Sequence, residues 1–128
     1  MSNKLRLSKE ASDRLNMLSM RLSLKRNILC RIAVGRSLSV PISVEDMQPK
    51  DNDGFEFNRY TLAGDFDEVF KAVICQHAGK YLDDDQYFTY YFRNHIERGL
   101  ELLYNEFKKI NSPIDFLVGL FDSSQVLD

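Results

Sequence analysis

The stretch KLRLSKEASDRLNMLSMRLSLKRNILCRIAVGR, residues 4–36, decides the fold. Polar and apolar side chains alternate in its first five residues, and this period of two predicts a short strand with one buried face. The apolar side holds Leu5 and Leu7, and the outward side holds Lys4, Arg6 and Ser8. Because so short a strand is not stable alone, and no segment of the same pattern follows closely, we expect it to pair with the same strand of another subunit.

Two amphipathic helices are predicted after this strand. The first runs from about Lys9 to Leu22, where apolar residues recur at helical spacing, and Ser8 is its candidate N-cap. The second runs from about Lys25 to Arg36, beyond a turn in which Ser23 is the candidate N-cap. The apolar face of this second helix is formed by Ile28, Leu29, Ile32 and Ala33.

An irregular connector is predicted over residues 37–65. Pro41, Pro49 and the turn sequence Asp51-Asn52-Asp53-Gly54 interrupt any long element there. Aromatic residues interleaved with polar ones around Phe57 favour a short extended piece near the end of the connector.

Three helices are expected in the second half of the chain. The first ends near Gly79, and its apolar stripe is Phe66, Val69, Phe70, Val73 and Ile74. The second is long, starts at the candidate cap Asp83-Asp84-Asp85 and ends near Ile110. Its stripe is Phe88, Phe92, Ile96, Leu100, Leu103, Phe107 and Ile110. Ser112 and Pro113 begin a last short helix as cap and first helical residue. The predicted fold class is mainly α, with a strand and two-helix head before a helical body.

Charge divides the chain unevenly. Residues 1–36 hold nine Lys and Arg against two Asp and Glu, or +7, whereas residues 37–128 hold eight against seventeen, or −9. This asymmetry predicts three parts within one compact unit: a basic head over 1–36, the connector over 37–65 and an acidic body over 66–128. A basic head is typical of proteins that bind a polyanion, and the alternative is a solvated basic face with no partner.

Composition disfavours secreted and membrane proteins. Two cysteines in 128 residues do not make a disulfide framework. The N-terminus lacks the apolar run of a secretory signal, and no stretch of about 18 consecutive apolar residues occurs. We therefore expect a cytoplasmic protein with reduced thiols and no membrane partner.

No catalytic centre is predicted. Cys75 and His77 supply two candidate metal ligands, but a structural zinc site needs about four. The Asp83-Asp84-Asp85 run could bind a divalent cation, as a nuclease requires, but its position before a helix favours capping. Cys30 and His95 fall on apolar helix faces and are expected in the core. No glycine-rich phosphate loop is present, so we expect no metal, no cofactor and no enzymatic activity.

The order strand, helix, turn and helix within residues 4–36 resembles the ribbon-helix-helix DNA-binding unit. The most telling part is Lys25–Ala33, with a basic start, two apolar positions, an Arg, and then an apolar residue and Ala. The resemblance implies a ribbon of two paired strands that enters the major groove with its outward side chains at base edges. The Gly and the Ser or Thr that usually precede the second helix are replaced here by Leu22-Ser23-Leu24-Lys25.

Nearly the whole chain resembles a more specific family, the DndE proteins of bacterial DNA phosphorothioation. The resemblance rests on the basic N-terminal unit and on the run Gly54–Asp65, GFEFNRYTLAGD, which looks like the family pattern G-x-E-x-N-x-x-T-L-x-G-[DE]. It implies a helical, tetrameric protein that binds double-stranded DNA, with nicked duplex as one candidate ligand. It also implies work beside the sulfur-inserting and ATPase components of that system.

The run Gly54–Asp65 has two interpretations. Asn58 and Thr61 can bond backbone groups of an irregular connector, and Glu56 can pair with Arg59 or with a cation of the head. We interpret the run as a structural link between head and body. A docking surface for a partner protein is the alternative.

The basic head is predicted to bind double-stranded DNA. The unbonded N–H groups at the start of the second helix suit a phosphate, and Arg or Lys on the strand can donate to guanine. The predicted DNA-binding residues are Lys4, Arg6, Lys9, Arg21, Lys25, Arg26, Asn27 and Arg31. The main alternative is a ribbon-helix-helix transcriptional regulator, which would leave a footprint on one palindromic operator. A further alternative is an adaptor whose basic head meets an acidic protein.

Overall fold

A computed structural model of the protein describes residues 3–110 and 113–121. Its elements follow in the order β1 (Lys4–Arg6), α1 (Lys9–Leu22), α2 (Arg26–Leu38), β2 (Glu56–Asn58), α3 (Arg59–Ala63), α4 (Asp67–Ala78), α5 (Arg93–Lys108) and α6 (Pro113–Phe121). A 3-10 turn over Gly64–Phe66 precedes α4, and a π-helical stretch over Gln86–Phe92 leads into α5. The mainly α fold class is confirmed. None of the described helices has the length and apolar character that crossing a membrane requires.

The two strands pair with each other. The antiparallel register places Lys4 opposite Asn58, Leu5 opposite Phe57 and Arg6 opposite Glu56. The expectation that β1 needs a strand from another subunit is therefore wrong, because its partner lies in its own chain. The partner escaped prediction because β2 has only three residues and lies in the connector, far along the sequence.

The junction between β1 and α1 is buried. Leu5 and Leu7 face the core, as predicted. Ser8 was expected on the outward side but is only 4% exposed, because it caps α1. Its hydroxyl accepts the N–H of Ala11 at 3.1 Å and donates to the Glu97 carboxylate at 2.8 Å. One serine thus begins the helix and joins the head to α5.

The first helix has the predicted bounds, but the turn after it differs from prediction. Ser23 adopts the left-handed conformation, with φ of 56°, and its N–H bonds the Ser19 carbonyl at the end of α1. It does not cap α2, whose N-cap residue is Lys25 in extended conformation. Because Lys25 makes no side-chain capping bond, the first N–H groups of α2 lack a capping acceptor.

The close crossing of α2 and α5 organises the core. A Cβ added to Gly99 would lie 1.9 Å from the carbonyl oxygen of Ala33, so the two backbones touch. The buried residues of α2 are Leu29, Cys30, Ala33, Val34 and Ser37. This face is rotated from the predicted one, and Ile28 and Ile32 are only partly buried, because the contact with Gly99 brings the small side of α2 inward.

The long helix is capped and packed as predicted. Asp83 accepts the N–H of Gln86 at 2.8 Å, and the Gln86 side chain accepts the N–H of Asp83 at 3.3 Å, which is a reciprocal cap. The predicted stripe is buried through Phe107, and Ile110, just beyond the end of α5, is partly buried. Phe116 of α6 packs edge-on against Phe107, with ring centroids 5.4 Å apart. Ser112, the predicted cap of α6, lies outside the described residues.

The predicted apolar stripe of α4 does not form one buried face. Ile74 is buried and Phe70 is partly buried. Phe66, Val69 and Val73 are 57%, 60% and 40% exposed. Helical spacing groups these residues correctly, but it cannot tell which side of an apolar helix the rest of the chain covers.

Candidate nucleic-acid interface

The predicted DNA-binding residues lie on three neighbouring elements, β1, α1 and α2. Lys4 and Arg6 belong to β1, Lys9 begins α1, Arg21 lies in its last turn, and Lys25, Arg26, Asn27 and Arg31 lie at or after the start of α2. All except Asn27 and Arg31 are exposed. The exposed cations fall into two groups, and both groups reach the same segment of the connector.

The first group, which we name the α1–α2 corner, consists of Arg21, Lys25 and Arg26. Within the described ranges, none of the three lies within ion-pair distance of a carboxylate. Arg26 donates from Nη2 to Asn16 Oδ1 at 2.8 Å and lies over the Phe55 ring, 4.3 Å from its centroid. Exposed cations beside the uncapped start of a helix form a suitable site for phosphate.

The second group, which we name the β1 group, consists of Lys4, Arg6 and Lys9. Arg6 donates to the Gly54 carbonyl at 3.2 Å and to the Glu56 carboxylate at 3.4 Å. Both side chains of this ion pair are nearly half exposed, and exposed pairs contribute little to stability. Arg6 can therefore exchange Glu56 for a phosphate at small cost.

The two groups meet at Gly54–Glu56. Arg6 bonds the first and last residues of this segment, and Arg26 covers the ring of Phe55 between them. Phe55 is itself fixed, since its carbonyl oxygen accepts the N–H of Leu7 at 2.9 Å. One arginine of β1 and one at the start of α2 therefore contact the same ordered segment.

Asn27 and Arg31 are turned towards the connector. Arg31 Nε donates to the Leu62 carbonyl at 2.6 Å, and its Nη2 donates to the Thr61 carbonyl at 3.3 Å. Asn27 donates to the same Thr61 carbonyl at 3.3 Å. Gly64, with φ of +57°, turns the chain here, and a Cβ on it would lie 2.9 Å from the Arg31 guanidinium. These bonds hold α2 to α3. Binding of DNA by either side chain stays a prediction.

The remainder of the Gly54–Asp65 run also makes internal bonds. Asn58 caps α3 by accepting the N–H of Tyr60 at 2.8 Å. Arg59 pairs with Asp67 at 2.8 Å and with Asp84 at 3.5 Å. The sequence offered Arg59 or a head cation as the partner of Glu56, and the structure selects Arg6. These contacts agree with the interpretation of the run as a structural link.

Two other cations of the head are engaged by carboxylates. Arg14 pairs with Glu10 one helical turn away at 2.9 Å, and Arg36 pairs with Glu106 of α5 at 2.6 Å. The net charge of the head therefore overstates the cations that are open to a ligand. Neither arginine was predicted from the sequence as a binding residue. The four-residue spacing from Glu10 to Arg14 is the sequence signal that identifies their ion pair.

The buried titratable groups are structural. Burial raises the pKa of Cys30 to about 12, so this thiol is not a nucleophile at neutral pH. Burial, together with the smaller effects of the nearby charges of His77 and Arg98, lowers the pKa of His95 to about 3. In the part of the chain that the structure describes, no three His, Cys, Asp or Glu side chains gather into a group that could hold a metal.

Comparison with known proteins agrees with this architecture. The crystal structure of DndE from Escherichia coli B7A, involved in DNA phosphorothioation modification, is 23% identical, with a TM-score of 0.63, over 80% of this chain and 98% of that one. The crystal structure of a DndE mutant involved in DNA phosphorothioation is 24% identical, with a TM-score of 0.62, over 82% of this chain and 99% of that one. No curated protein matches the sequence. Because the family model for DNA sulphur modification protein DndE matches residues 4–111, the chain belongs to the DndE family.

Proposed function

We propose that this DndE family member binds double-stranded DNA through the α1–α2 corner and the β1 group. It acts as an accessory component of DNA phosphorothioation in the cytoplasm, with no catalytic centre and no cofactor of its own. It also associates with further copies of the chain, in a homo-oligomer such as the tetramer that the family resemblance implies. Its remaining partners are the other proteins of the sulfur modification system.

One observation carries the proposal: exposed cations from two separate elements meet at Gly54–Glu56. Arg6 and Arg26 lie against this one segment. Neighbouring cations can neutralise neighbouring phosphates, whereas cations scattered over a surface cannot act on one duplex together. The segment belongs to the Gly54–Asp65 run, so the run acts indirectly by orienting the arginines.

The start of α2 supplies the second part of the argument. Lys25 and Arg26 are exposed at a helix N-terminus where no side chain caps the N–H groups. A phosphate oxygen can accept these N–H groups while both cations neutralise its charge. Such contacts position a protein on DNA without reading its sequence.

The test compares DNA binding by the wild type and by the double variant Lys25→Ala, Arg26→Ala. Fluorescence anisotropy of a short labelled duplex would be measured between about 50 and 200 mM salt. We expect weaker binding and a shallower dependence of log affinity on log salt, by ~1 unit for each phosphate that the variant no longer neutralises. Repeating the curves on nicked duplex shows whether a nick adds affinity.

The matched control is Lys108→Ala, Lys109→Ala, which removes two exposed cations at the end of α5. It changes the net charge equally, and we expect it to leave the salt dependence close to that of the wild type. Unchanged affinity and slope in a folded Lys25, Arg26 double variant would contradict the proposed interface. A footprint confined to one palindromic operator would instead favour the transcriptional regulator.

A further inference from the structure

A polar cleft of about 340 Å³ opens where β2 runs into α3. It has the size of a site for a small ligand. Its lining is Asn3, Asn58, Arg59, Tyr60, Gly64 and Asp67, and it therefore shares no residue with the α1–α2 corner or the β1 group. The cleft is a separate site beside the proposed phosphate contacts.

The charged groups of the cleft neutralise one another. Arg59 pairs with Asp67 at 2.8 Å and with Asp84 at 3.5 Å, and the arginine side chain is only 14% exposed. The other oxygen of Asp67 accepts the Tyr87 hydroxyl at 2.8 Å. A phosphate would have to displace a carboxylate from Arg59 and would leave that carboxylate without its cation, which is costly where the pair is largely buried. The cleft therefore suits a neutral ligand that forms hydrogen bonds.

Tyr60 supplies an aromatic surface at the cleft. Its backbone is fixed, since its N–H bonds Asn58 Oδ1 at 2.8 Å, yet the residue is 72% exposed. A ring with this exposure has a face open for stacking. Proteins bind unpaired nucleobases by stacking them on aromatic side chains, and the stacking tolerates any base because every base is flat and aromatic.

The two asparagines of the cleft can bind the edge of a base. Because Oδ1 of Asn58 caps α3, its amide nitrogen is the group that can donate to a ligand. Asn3 is exposed, and its backbone is held in place where its carbonyl accepts the N–H of Arg59 at 2.7 Å. An asparagine side chain carries both a donor and an acceptor, as the edge of a base does. The cleft thus joins a stacking face to groups that bond a flat, neutral ring.

The cleft lies next to the proposed DNA interface. Lys4 of the β1 group is directly opposite Asn58 in the sheet register, and the Cα atoms of such a pair are about 5 Å apart. Both residues are exposed. Because a base and its phosphate belong to one nucleotide, a phosphate held near Lys4 brings its own base within reach of Asn58 and Tyr60.

We propose that this cleft binds an unpaired DNA base that has turned out of the duplex, with the base stacked on Tyr60 and its edge bonded to Asn58. A base without a partner leaves the stack at lower cost than a paired base. The cleft therefore raises the affinity for DNA that contains an unpaired base. Binding of the base in this way rests on the proposed function, because the cations of the β1 group hold the neighbouring phosphates.

The test compares two labelled duplexes of equal length. One is fully paired, and in the other a single adenine faces an abasic residue, so that both carry the same number of phosphates. Fluorescence anisotropy gives a dissociation constant for each duplex, and the ratio of the two constants isolates the effect of the unpaired base. We expect the wild type to bind the duplex with the unpaired base about ten-fold more tightly. Tyr60→Ala should bind both duplexes about equally.

Three variants serve as controls. Tyr60→Phe keeps the ring and should keep the ratio, and so should Tyr81→Ala, which removes another tyrosine that is 78% exposed. The double variant Lys25→Ala, Arg26→Ala should weaken binding to both duplexes by the same factor and leave the ratio unchanged. Circular dichroism checks that Tyr60→Ala is folded, as we expect for a side chain so open to solvent.

Asn58→Asp tests the contact with the base edge. Aspartate can still accept the N–H of Tyr60 as the cap of α3, but it offers no donor to a base. Its negative charge weakens binding to both duplexes alike, so a change in the ratio reports on the base alone. We expect the ratio to fall by about two- to five-fold, as for the loss of one hydrogen bond.

Failure of the cleft and failure of the interface give different results. Equal affinity of the wild type for the two duplexes would reject the base site and leave the proposed DNA interface standing, whereas binding of neither duplex would reject both. An unchanged ratio in folded Tyr60→Ala would also overturn the base site. Displacement of the labelled DNA by micromolar deoxyadenosine monophosphate would assign the cleft to free nucleotides and would overturn it as well.

Discussion

The two sides of α2 are held to the rest of the protein by different kinds of contact. Towards α5 the contact is dry and short, since Gly99 lies directly against the backbone of Ala33. Towards the connector it is polar, and Arg31 reaches across to the carbonyl of Leu62. The first contact tolerates no added volume, whereas the second consists of hydrogen bonds near the surface.

The contact with α5 and the contact with the connector therefore have different roles in the protein. The packed side fixes the position of the helix, because two backbones in contact leave no freedom to shift. The polar side fixes the connector, on which Arg26 and Arg6 lie. We therefore expect changes on the packed side to lower the free energy of unfolding, and changes on the connector side to alter DNA affinity with little effect on stability.

The largest expected effect is that of Gly99→Ala. The added methyl group would lie 1.9 Å from the Ala33 carbonyl oxygen and 2.8 Å from its Cα. Because both obstacles are backbone atoms, the two helices must separate, and we expect a loss of about 3 kcal/mol in the free energy of unfolding. Urea denaturation followed by circular dichroism measures this loss.

Gly35→Ala is the matched control for this substitution. Gly35 also lies within a helix, but it is exposed, and a Cβ there would meet nothing within 4 Å. We expect it to raise stability by about 0.5–1 kcal/mol, because alanine favours the helix. Equal effects of the two substitutions would show that the α2–α5 contact is not the tight side of the helix.

The next largest effect is the dependence of stability on pH, which reports on the same packed side. His95 Nδ1 accepts from the Ser37 hydroxyl at 2.8 Å, and that hydroxyl accepts from Arg98 Nε at 2.8 Å. The ring of His77 is the other titratable neighbour, with centroids 5.0 Å apart. A proton on Nδ1 would leave the hydroxyl between two donors, and burial lowers the pKa of His95 to about 3.

The folded state therefore keeps His95 neutral while the unfolded chain takes up a proton below about pH 6.5. The contribution of His95 to stability is complete above that pH and is lost as the pH falls towards about 3. The free energy of unfolding should fall by up to ~1.4 kcal/mol per pH unit in this window. Urea midpoints measured from about pH 6.5 to 4.5, above the range in which most carboxylates titrate, test the expectation.

His95→Asn is the comparison variant for the pH series. Asparagine can still accept from Ser37 but does not titrate. We expect this variant to be less stable at neutral pH, because it leaves space in the core, and to show a flatter curve between the same pH values. A curve as steep as that of the wild type would assign the acid sensitivity to another group.

The helices that pack against α2 were largely predictable from sequence, because they depend on local periodicity, whereas the buried face of α2 itself is rotated from the predicted one. Spacing of apolar residues predicted α1 and α5, and a serine and an aspartate marked their starts. Helical periodicity did not predict how closely α2 and α5 approach, because Gly99 lies against Ala33, which is distant in sequence. It also did not predict which apolar side of α4 is buried, since burial is a property of the whole chain.

The connector side was predictable only in part. The charge imbalance identified the head cations, and the Gly54–Asp65 run identified the family. Neither indicated that Arg6 and Arg26 contact the same segment, Gly54–Glu56, or that Arg31 donates to Leu62. Bonds to carbonyl oxygens leave no signature in sequence, because every residue carries a carbonyl.

The smallest expected effect on stability, and the sharpest test of the connector side, is that of Glu56→Gln. Its ion pair with Arg6 is exposed, so the free energy of unfolding should change by no more than about 0.5 kcal/mol. DNA affinity should rise, because the substitution removes a negative charge beside the proposed phosphate contacts and releases Arg6. Glu45→Gln, at another exposed glutamate, controls for the change in net charge and should raise affinity less. If both variants bind DNA equally, the rise in affinity comes from the change in net charge, and Arg6 does not contribute to the interface more than other cations. If Glu56→Gln alone gains affinity, the connector competes with DNA for the arginine that it positions.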